Sequence, residues 1–427
     1  MDSILIDDNP HWDTPEAYGQ FSPREKLTHA LSFLKAKEVI AILGARRVGK
    51  SSLARLMIRS LLPTTNPRNI FFINLEKTAF IPYKNDPTYL DTIYENYLKI
   101  AEPDMSQRIY VFLDEIQIFA DWEVFVKSRY ENSNIKFIVT GSNSSLLSSS
   151  YATMLTGRVL KLTLNSFSFR EFLTYKEIPH TSRLERARHR INIKRALDEY
   201  LKWGGYYSVF SNDEIHVKKE YLKNIAEDII LKDIVPRYSI KNSAAIRDLF
   251  YYIASNATTT INYASLAKKL SMDPKTVKEY VDYFEDNFLI RRISRHHTKL
   301  TAQINSPKKV YLSDNGFLNL GISPDRNQGA MLENAVCNHW QNREITYLLE
   351  NKECDFYVGG NVYQVSYTIN DEKTRKRELD GLEFFMNELN LTEGHLITYD
   401  ASETISKEGK TMHIQPIEEF LLVGEIQ

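Results

Sequence analysis

Gly44, Gly49, Lys50 and Ser51 lie in the stretch GARRVGKS, with four residues between the two glycines. A phosphate cradle needs this spacing. The glycines let the backbone curl until its N–H groups face a common centre, and the helix that follows adds the positive end of its dipole. The lysine ammonium then reaches the β- and γ-phosphates, and the serine hydroxyl meets Mg²⁺. The expected phosphate-contacting set is Gly44, Ala45, Arg46, Arg47, Val48, Gly49, Lys50, Ser51 and Ser52. Arg46 and Arg47 occupy positions where small residues are common. Their side chains must leave the cradle to meet phosphate, acidic neighbours, another subunit or solvent.

A second acidic element supports this chemistry. IYVFLDEIQ is an apolar strand ending in Asp114-Glu115. An acid pair at the carboxyl end of a strand beside the phosphate loop suits a metal-holding Asp114 and a Glu115 that orients or deprotonates the attacking water. A third strand, KFIVTGSNSS, ends in Thr140, Ser142 and Asn143, which suit contact with the γ-phosphate or that water. Which of Ser142 and Asn143 does so is open. ATP, with ADP as product, and Mg²⁺ are the expected ligands.

The surrounding pattern must hold these groups in place. EVIAIL, NIFFINL, IYVFLDE and IKFIVTG are short apolar runs, and between them lie LARLMIRSLL and TYLDTIYENYLKI with helical spacing. Strands apolar on both faces that alternate with helices indicate a parallel sheet covered by helices. Beyond about Lys176 helical periodicity takes over, with Gly204-Gly205 as a break. From about Ala244, three helix-like segments precede the strands FLIRRIS and KVYLS. From about Gly329 come the helix MLENAVCNHWQ, the strands ITYLLE, CDFYVG and NVYQVSYTI, the helix LDGLEFFMNEL and the strand GHLITYD.

GARRVGKSS, FLDEIQ, TGSNSSLL, LTGRVLKLTLNSFSFREFL and KWGGYY together resemble a prokaryotic AAA-type P-loop ATPase family. Its members carry a C-terminal domain similar to restriction endonucleases. The likeness extends over nearly the whole chain and implies an α/β architecture in four parts. These are a parallel-sheet P-loop core (1–175), a helical lid (176–243), a winged helix-turn-helix (244–312) and an α/β restriction-endonuclease-like domain (313–427). It also makes Arg158 a candidate to sense γ-phosphate, in cis or from a neighbouring subunit of a homo-oligomer, against a plain structural salt bridge.

NYASLAKKL and PKTVKEYVDYFEDNF resemble the helix-turn-helix of a winged domain, with Asp273 as N-cap and Pro274 in the first turn. Lys275, Thr276 and Lys278 would then face a DNA groove, and Arg291, Arg292 and Arg295 would meet phosphates from the wing. Against this, Glu279, Asp282, Glu285 and Asp286 crowd the same helix. In the last domain the likeness to a metal nuclease rests on Glu333, Asp355 and the strand NVYQVSY. The third element would need an acid, a spacer and a lysine, and this chain has Gln364-Val365-Ser366. The site is expected to be vestigial, with Lys373 the nearest replacement lysine in sequence.

Composition sets the remaining bounds. Fifty-four Lys plus Arg against 55 Asp plus Glu give a net charge of −1, so any nucleic-acid surface must be local. Two cysteines, Cys337 and Cys354, suit a reducing compartment. No uncharged apolar run approaches the roughly 20 residues that span a bilayer. A cytoplasmic protein without membrane contact is expected. Its main expected role is Mg²⁺-dependent ATP hydrolysis driving a conformational change on DNA or a protein partner. The alternatives are a nucleotide-gated DNA-binding regulator with little turnover and an ATP-dependent nuclease of a defence-type system.

Overall fold

The computed structural model describes residues 1–427 except 15, 20, 133, 145–156, 322–327, 341–342 and 423–427. The chain forms two compact units, Met1–Leu164 and Asn165–Gln427.

The first unit is built on a five-stranded sheet in the order β2-β3-β4-β1-β5. Its strands are β1 (Val39–Leu43), β2 (Ile70–Asn74), β3 (Ile109–Asp114), β4 (Ile135–Gly141) and β5 (Val159–Thr163). Every pairing is parallel. All five β1 residues and all seven β4 residues are buried, as helices on both faces require. The helices Lys50–Leu61, Tyr89–Ala101 and Trp122–Asn132 follow β1, β2 and β3. All strands point the same way, so their carboxyl ends gather at one rim, where ligands of such sheets bind. β4 lies between β1 and β3. The acid-bearing strand is therefore one strand removed from the phosphate-loop strand, and the two meet across the end of β4.

The second unit carries a nine-stranded mixed sheet, β13-β14-β12-β11-β10-β9-β7-β8-β6. Its strands are β6 (Thr260–Ile261), β7 (Ile290–Arg295), β8 (Lys308–Leu312), β9 (Ile345–Leu349), β10 (Glu353–Val358), β11 (Asn361–Val365), β12 (Glu393–Thr398), β13 (Glu403–Lys407) and β14 (Lys410–Pro416). The helices Tyr263–Leu270 and Pro274–Asp286 precede the hairpin β7–β8, and Asp273 caps the second of them through Lys275 N–H. β7 pairs with β8 on one side and runs parallel to β9 on the other. The sheet is thus continuous across residue 312, and β7 is paired on both sides at Ser294. No helix among the described residues is long and apolar enough to cross a membrane.

Gly204 and Gly205 have a packing reason beyond ending a helix. The carboxylate of Asp314 is buried here and accepts hydrogen bonds from Gly205 N–H (2.8 Å), Gly316 N–H (2.7 Å) and the Ser166 hydroxyl (2.6 Å). A Cβ on Gly204 would come within 1.7 Å of Asp314 Oδ1, and its φ of +76° is left-handed. One on Gly205 would meet the Phe167 carbonyl at 2.2 Å. Gly204→Ala should therefore lower stability by at least about 2 kcal/mol in denaturant unfolding, whereas an exposed alanine substitution should cost under about 0.5 kcal/mol.

Candidate functional site

The loop after β1 turns where a side chain cannot fit. A Cβ on Gly44 would lie 2.0 Å from the Leu164 carbonyl oxygen, and Gly49 adopts φ +97° as it caps the helix Lys50–Leu61. The helix then presents its N-terminal N–H groups and dipole toward the loop. Lys50 is buried, and its ammonium donates to the carbonyls of Gly44 and Ala45, both at 3.1 Å. Lys50 Nζ also lies 3.3 Å from Glu115 Oε1.

A group of polar side chains converges at the mouth of the loop. The Ser51 hydroxyl donates to Asp114 Oδ2 (2.7 Å) and the Thr140 hydroxyl to Asp114 Oδ1 (2.7 Å). Thr140 Oγ1 in turn accepts Glu115 N–H at 2.9 Å. Glu115 itself sits at φ +56°, opening the short 3₁₀ turn Ile116–Ile118. Its Oε2 accepts the Gln117 side-chain amide at 2.6 Å, and that amide also lies 3.3 Å from Ser142 Oγ. Ser142 and Asn143 are both buried at the end of β4.

Electrostatics separates the two acids. Burial raises the pKa of Asp114, and the nearby Glu115 charge adds to it. The hydrogen bonds from Thr140 and Ser51 and the Lys50 charge offset only part of this. Burial acts on Glu115 in the same sense, but there Lys50, the Gln117 hydrogen bond and Arg46 outweigh it and hold the carboxyl below its ordinary range. The site thus carries two carboxylates against one buried ammonium, a charge balance that suits a divalent cation. Ser51 and Asp114 are the oxygen donors placed to hold one. Among the described residues no group of three or more His, Cys, Asp and Glu forms a metal cage. A hydroxyl and one carboxylate, completed by phosphate oxygens and water, is the usual way to hold Mg²⁺.

Other expected residues lie as follows. Arg46 pairs with Glu76 at 2.8 Å, while Arg47 is exposed in a left-handed conformation. Ala45 and Val48 are buried, and Ser52 lies in the first turn of the helix. Arg158 precedes β5, where its carbonyl accepts Val39 N–H at the start of β1. The phosphate loop follows the other end of β1, roughly 16 Å away at 3.3 Å per residue. Arg158 instead pairs with Glu131 at 2.7 Å and lies over the Tyr130 ring. TGSNSSLL is described only as far as Ser144.

Sequence reasoning passed over two residues here. Arg24, almost fully buried, donates to the Val48 carbonyl at 2.7 Å and would lie 3.1 Å from a Cβ on Gly49. Nothing in the sequence around it signals this. Gln117 had a faint signal, as a polar residue in the apolar run Ile116–Phe119.

In the second unit, the basic residues of the expected wing are committed internally. Arg291 donates to the Trp340 and Arg343 carbonyls, Arg292 pairs with Glu285 and Asp282, and Arg295 with Glu350. The three side chains that were expected to meet DNA phosphates thus already engage carboxylates and carbonyls within the chain. Lys275 and Lys278 are exposed and Thr276 is half-buried at the start of the helix Pro274–Asp286.

Glu333, Asp355 and Gln364 do come together, in a cleft of about 780 Å³ that Lys373 also lines. A lysine does lie among these carboxylates, and it is not Lys373. Lys309, on β8, is buried with Nζ 2.6 Å from Glu353, 3.2 Å from Asp355 and 3.4 Å from Glu333. Tyr311 donates to Glu333 at 2.7 Å, and Gln364 joins Asp355 N–H to Glu378. Sequence reading missed Lys309 because β8 is far from the cleft residues in the chain and adjoins them only through the sheet.

Burial, reinforced by Asp355, pushes the Glu333 carboxyl up to about 7. Folded Glu333 then holds its proton more tightly than the unfolded chain does. Stability should therefore decline as pH rises from the ordinary 4.5 through 7, and Glu333→Gln should flatten that slope in urea unfolding across pH. Lys309→Met leaves buried carboxylates without their counter-charge. It should cost about 3–5 kcal/mol at pH 8, and less at pH 5, where those carboxyls can take up protons.

Comparison with known proteins gives this geometry a family. Residues 36–173 match the family described as an AAA domain, and residues 194–326 match a domain of unknown function (DUF8612). An uncharacterized protein of Haemophilus influenzae is 28% identical over 345 residues, covering 78% of this chain and 82% of that protein. Among solved structures, the Walker-type ATPase of Pyrococcus abyssi aligns with 71% of this chain and 96% of its own, at 14% identity and a TM-score of 0.42. The Aeropyrum pernix ORC1 protein, solved in complex with DNA, aligns with 76% of this chain and 96% of its own, at 12% identity and a TM-score of 0.31. An uncharacterized protein of Methanocaldococcus jannaschii is 30% identical over 348 residues, covering 74% of this chain and 77% of that protein. The chain belongs to the same family as that archaeal protein and carries an AAA-type P-loop domain.

Proposed function

We propose that the chain is a Mg²⁺-dependent ATPase that couples hydrolysis to conformational change on a DNA or protein partner. The observation that carries this reading is the contact between Ser51 and Asp114, with Glu115 held beside Lys50. A loop that only bound phosphate would need no buried acid pair at its mouth. Mg²⁺ held by Ser51 and Asp114 would neutralise charge on the β- and γ-phosphates. Lys50 exchanges its carbonyl partners for phosphate oxygens, which frees Glu115 from the ammonium. Glu115, kept anionic, takes the proton of the attacking water. Ser142 and Asn143 bound the same space from the end of β4 and suit contact with the γ-phosphate or the water. Arg158 could reach a nucleotide only from a neighbouring subunit, and otherwise serves the pair with Glu131.

The load is less sharply drawn. The segment 244–312 is read as winged-helix-like, and the start of the helix Pro274–Asp286, with Lys275, Thr276 and Lys278, is the surface left for a duplex. The region 313–427 is read as restriction-endonuclease-like. Lys309 occupies the centre of its carboxylate group, so a binding or scaffold role fits better than cleavage.

Lys50→Ala should lower ATP affinity and abolish phosphate release. Glu115→Gln should keep ATP affinity within about threefold of wild type while cutting turnover by on the order of 10²–10⁴. A fluorescent-nucleotide titration beside a phosphate-release assay separates the two. Turnover of Glu115→Gln at the wild-type rate would remove Glu115 from its assigned role.

A further inference from the structure

The two oxygens of Glu115 are held by different groups. Lys50 faces Oε1 and Gln117 donates to Oε2. These restraints differ in permanence. Lys50 must leave for the phosphates when nucleotide binds, so its hold on Glu115 belongs to the nucleotide-free site. Gln117 has no such duty. It lies two residues beyond Glu115 in the turn Ile116–Ile118, which is fixed by the fully buried Ile116 and the nearly buried Phe119.

The amide orientation is dictated by chemistry. Reversing it would set a carbonyl oxygen 2.6 Å from a carboxylate, so the atom facing Glu115 must be the NH₂ group. The same nitrogen lies 3.3 Å from Ser142 Oγ, which joins the end of β3 to the end of β4 through one side chain. Gln117 Oε1 is buried and has no protein partner. Leaving an amide oxygen unpaired in the interior costs about 1–3 kcal/mol. Packing alone would not keep a glutamine there in place of an apolar residue.

We propose that Gln117 is the positioning residue for Glu115: its NH₂ group fixes the carboxylate, ties it to Ser142, and keeps it aimed after Lys50 has moved to the phosphates. Gln117 acts through Glu115 and contributes nothing to nucleotide affinity. This inference rests on the ATPase reading above.

The test uses the full-length chain, with Gln117→Ala and the near-isosteric Gln117→Glu beside wild type. Gln117→Ala removes the donor that aims Glu115, so kcat at pH 7 should fall roughly 10- to 100-fold with fluorescent-ATP affinity within about threefold of wild type. Gln117→Glu keeps the shape but sets an acceptor against the carboxylate, so kcat should fall in the same way at retained ATP affinity. Thermal unfolding of each variant monitors the fold. If Gln117→Ala is unfolded, Gln117→Glu alone decides, through the same loss of kcat at retained affinity. Unchanged kcat in a folded variant overturns the inference and leaves the ATPase reading standing. A loss of kcat matched by an equal loss of ATP affinity overturns it too. Absence of any hydrolysis by wild type overturns both.

Discussion

A carboxylate buried at the end of a central strand needs partners, and Asp114 finds them on both neighbouring elements. Ser51 reaches it from the phosphate-loop helix and Thr140 from the inserted strand β4. These two hydrogen bonds align the ends of β1, β3 and β4, and the rest of the site depends on that alignment. Thr140 also accepts the amide of Glu115, so the turn that presents Glu115 starts from the same anchor. Burial raises the Asp114 pKa, and a divalent cation bound here would relieve that strain by supplying the charge the protein withholds.

The second unit meets the same electrostatic problem with a different answer. Glu333 and Asp355 are buried together, but an ammonium, Lys309, lies among them with Glu353 as a third partner. Breaking such a group by removing one member is expensive, while forming it adds little net stability. Its effect is to tie β8 to the helix Gln328–His339 and to β10. Two carboxylate clusters in one chain thus differ in what they enclose. The first adjoins the phosphate loop, and the second surrounds one buried ammonium with three carboxyls.

The site was legible where chemistry is local in sequence. Gly44 to Ser52 form one contiguous loop, and Asp114-Glu115 end an apolar strand, so spacing and periodicity expose both. The parallel core was legible for the same reason, although β5 went unread because VLKLT mixes polar and apolar residues and is only partly buried. Contacts made through the sheet were hidden. Lys309 opens the strand KVYLS, and only its register on β8 brings it to Asp355. Arg291, Arg292 and Arg295 read as a positive patch because their partners, from Glu285 to Glu350, are scattered along the chain. Gly204-Gly205 read as a helix stop, but the close approach of Asp314 came from over a hundred residues away.

If the buried acids and the phosphate loop make one metal-dependent hydrolytic site, a single-turnover phosphate-release measurement on the wild-type chain, with ATP in Mg²⁺ and again in excess EDTA, will show it. Release is expected in Mg²⁺ and none in EDTA. Equal release in both conditions, or none in either with ATP bound, would contradict it.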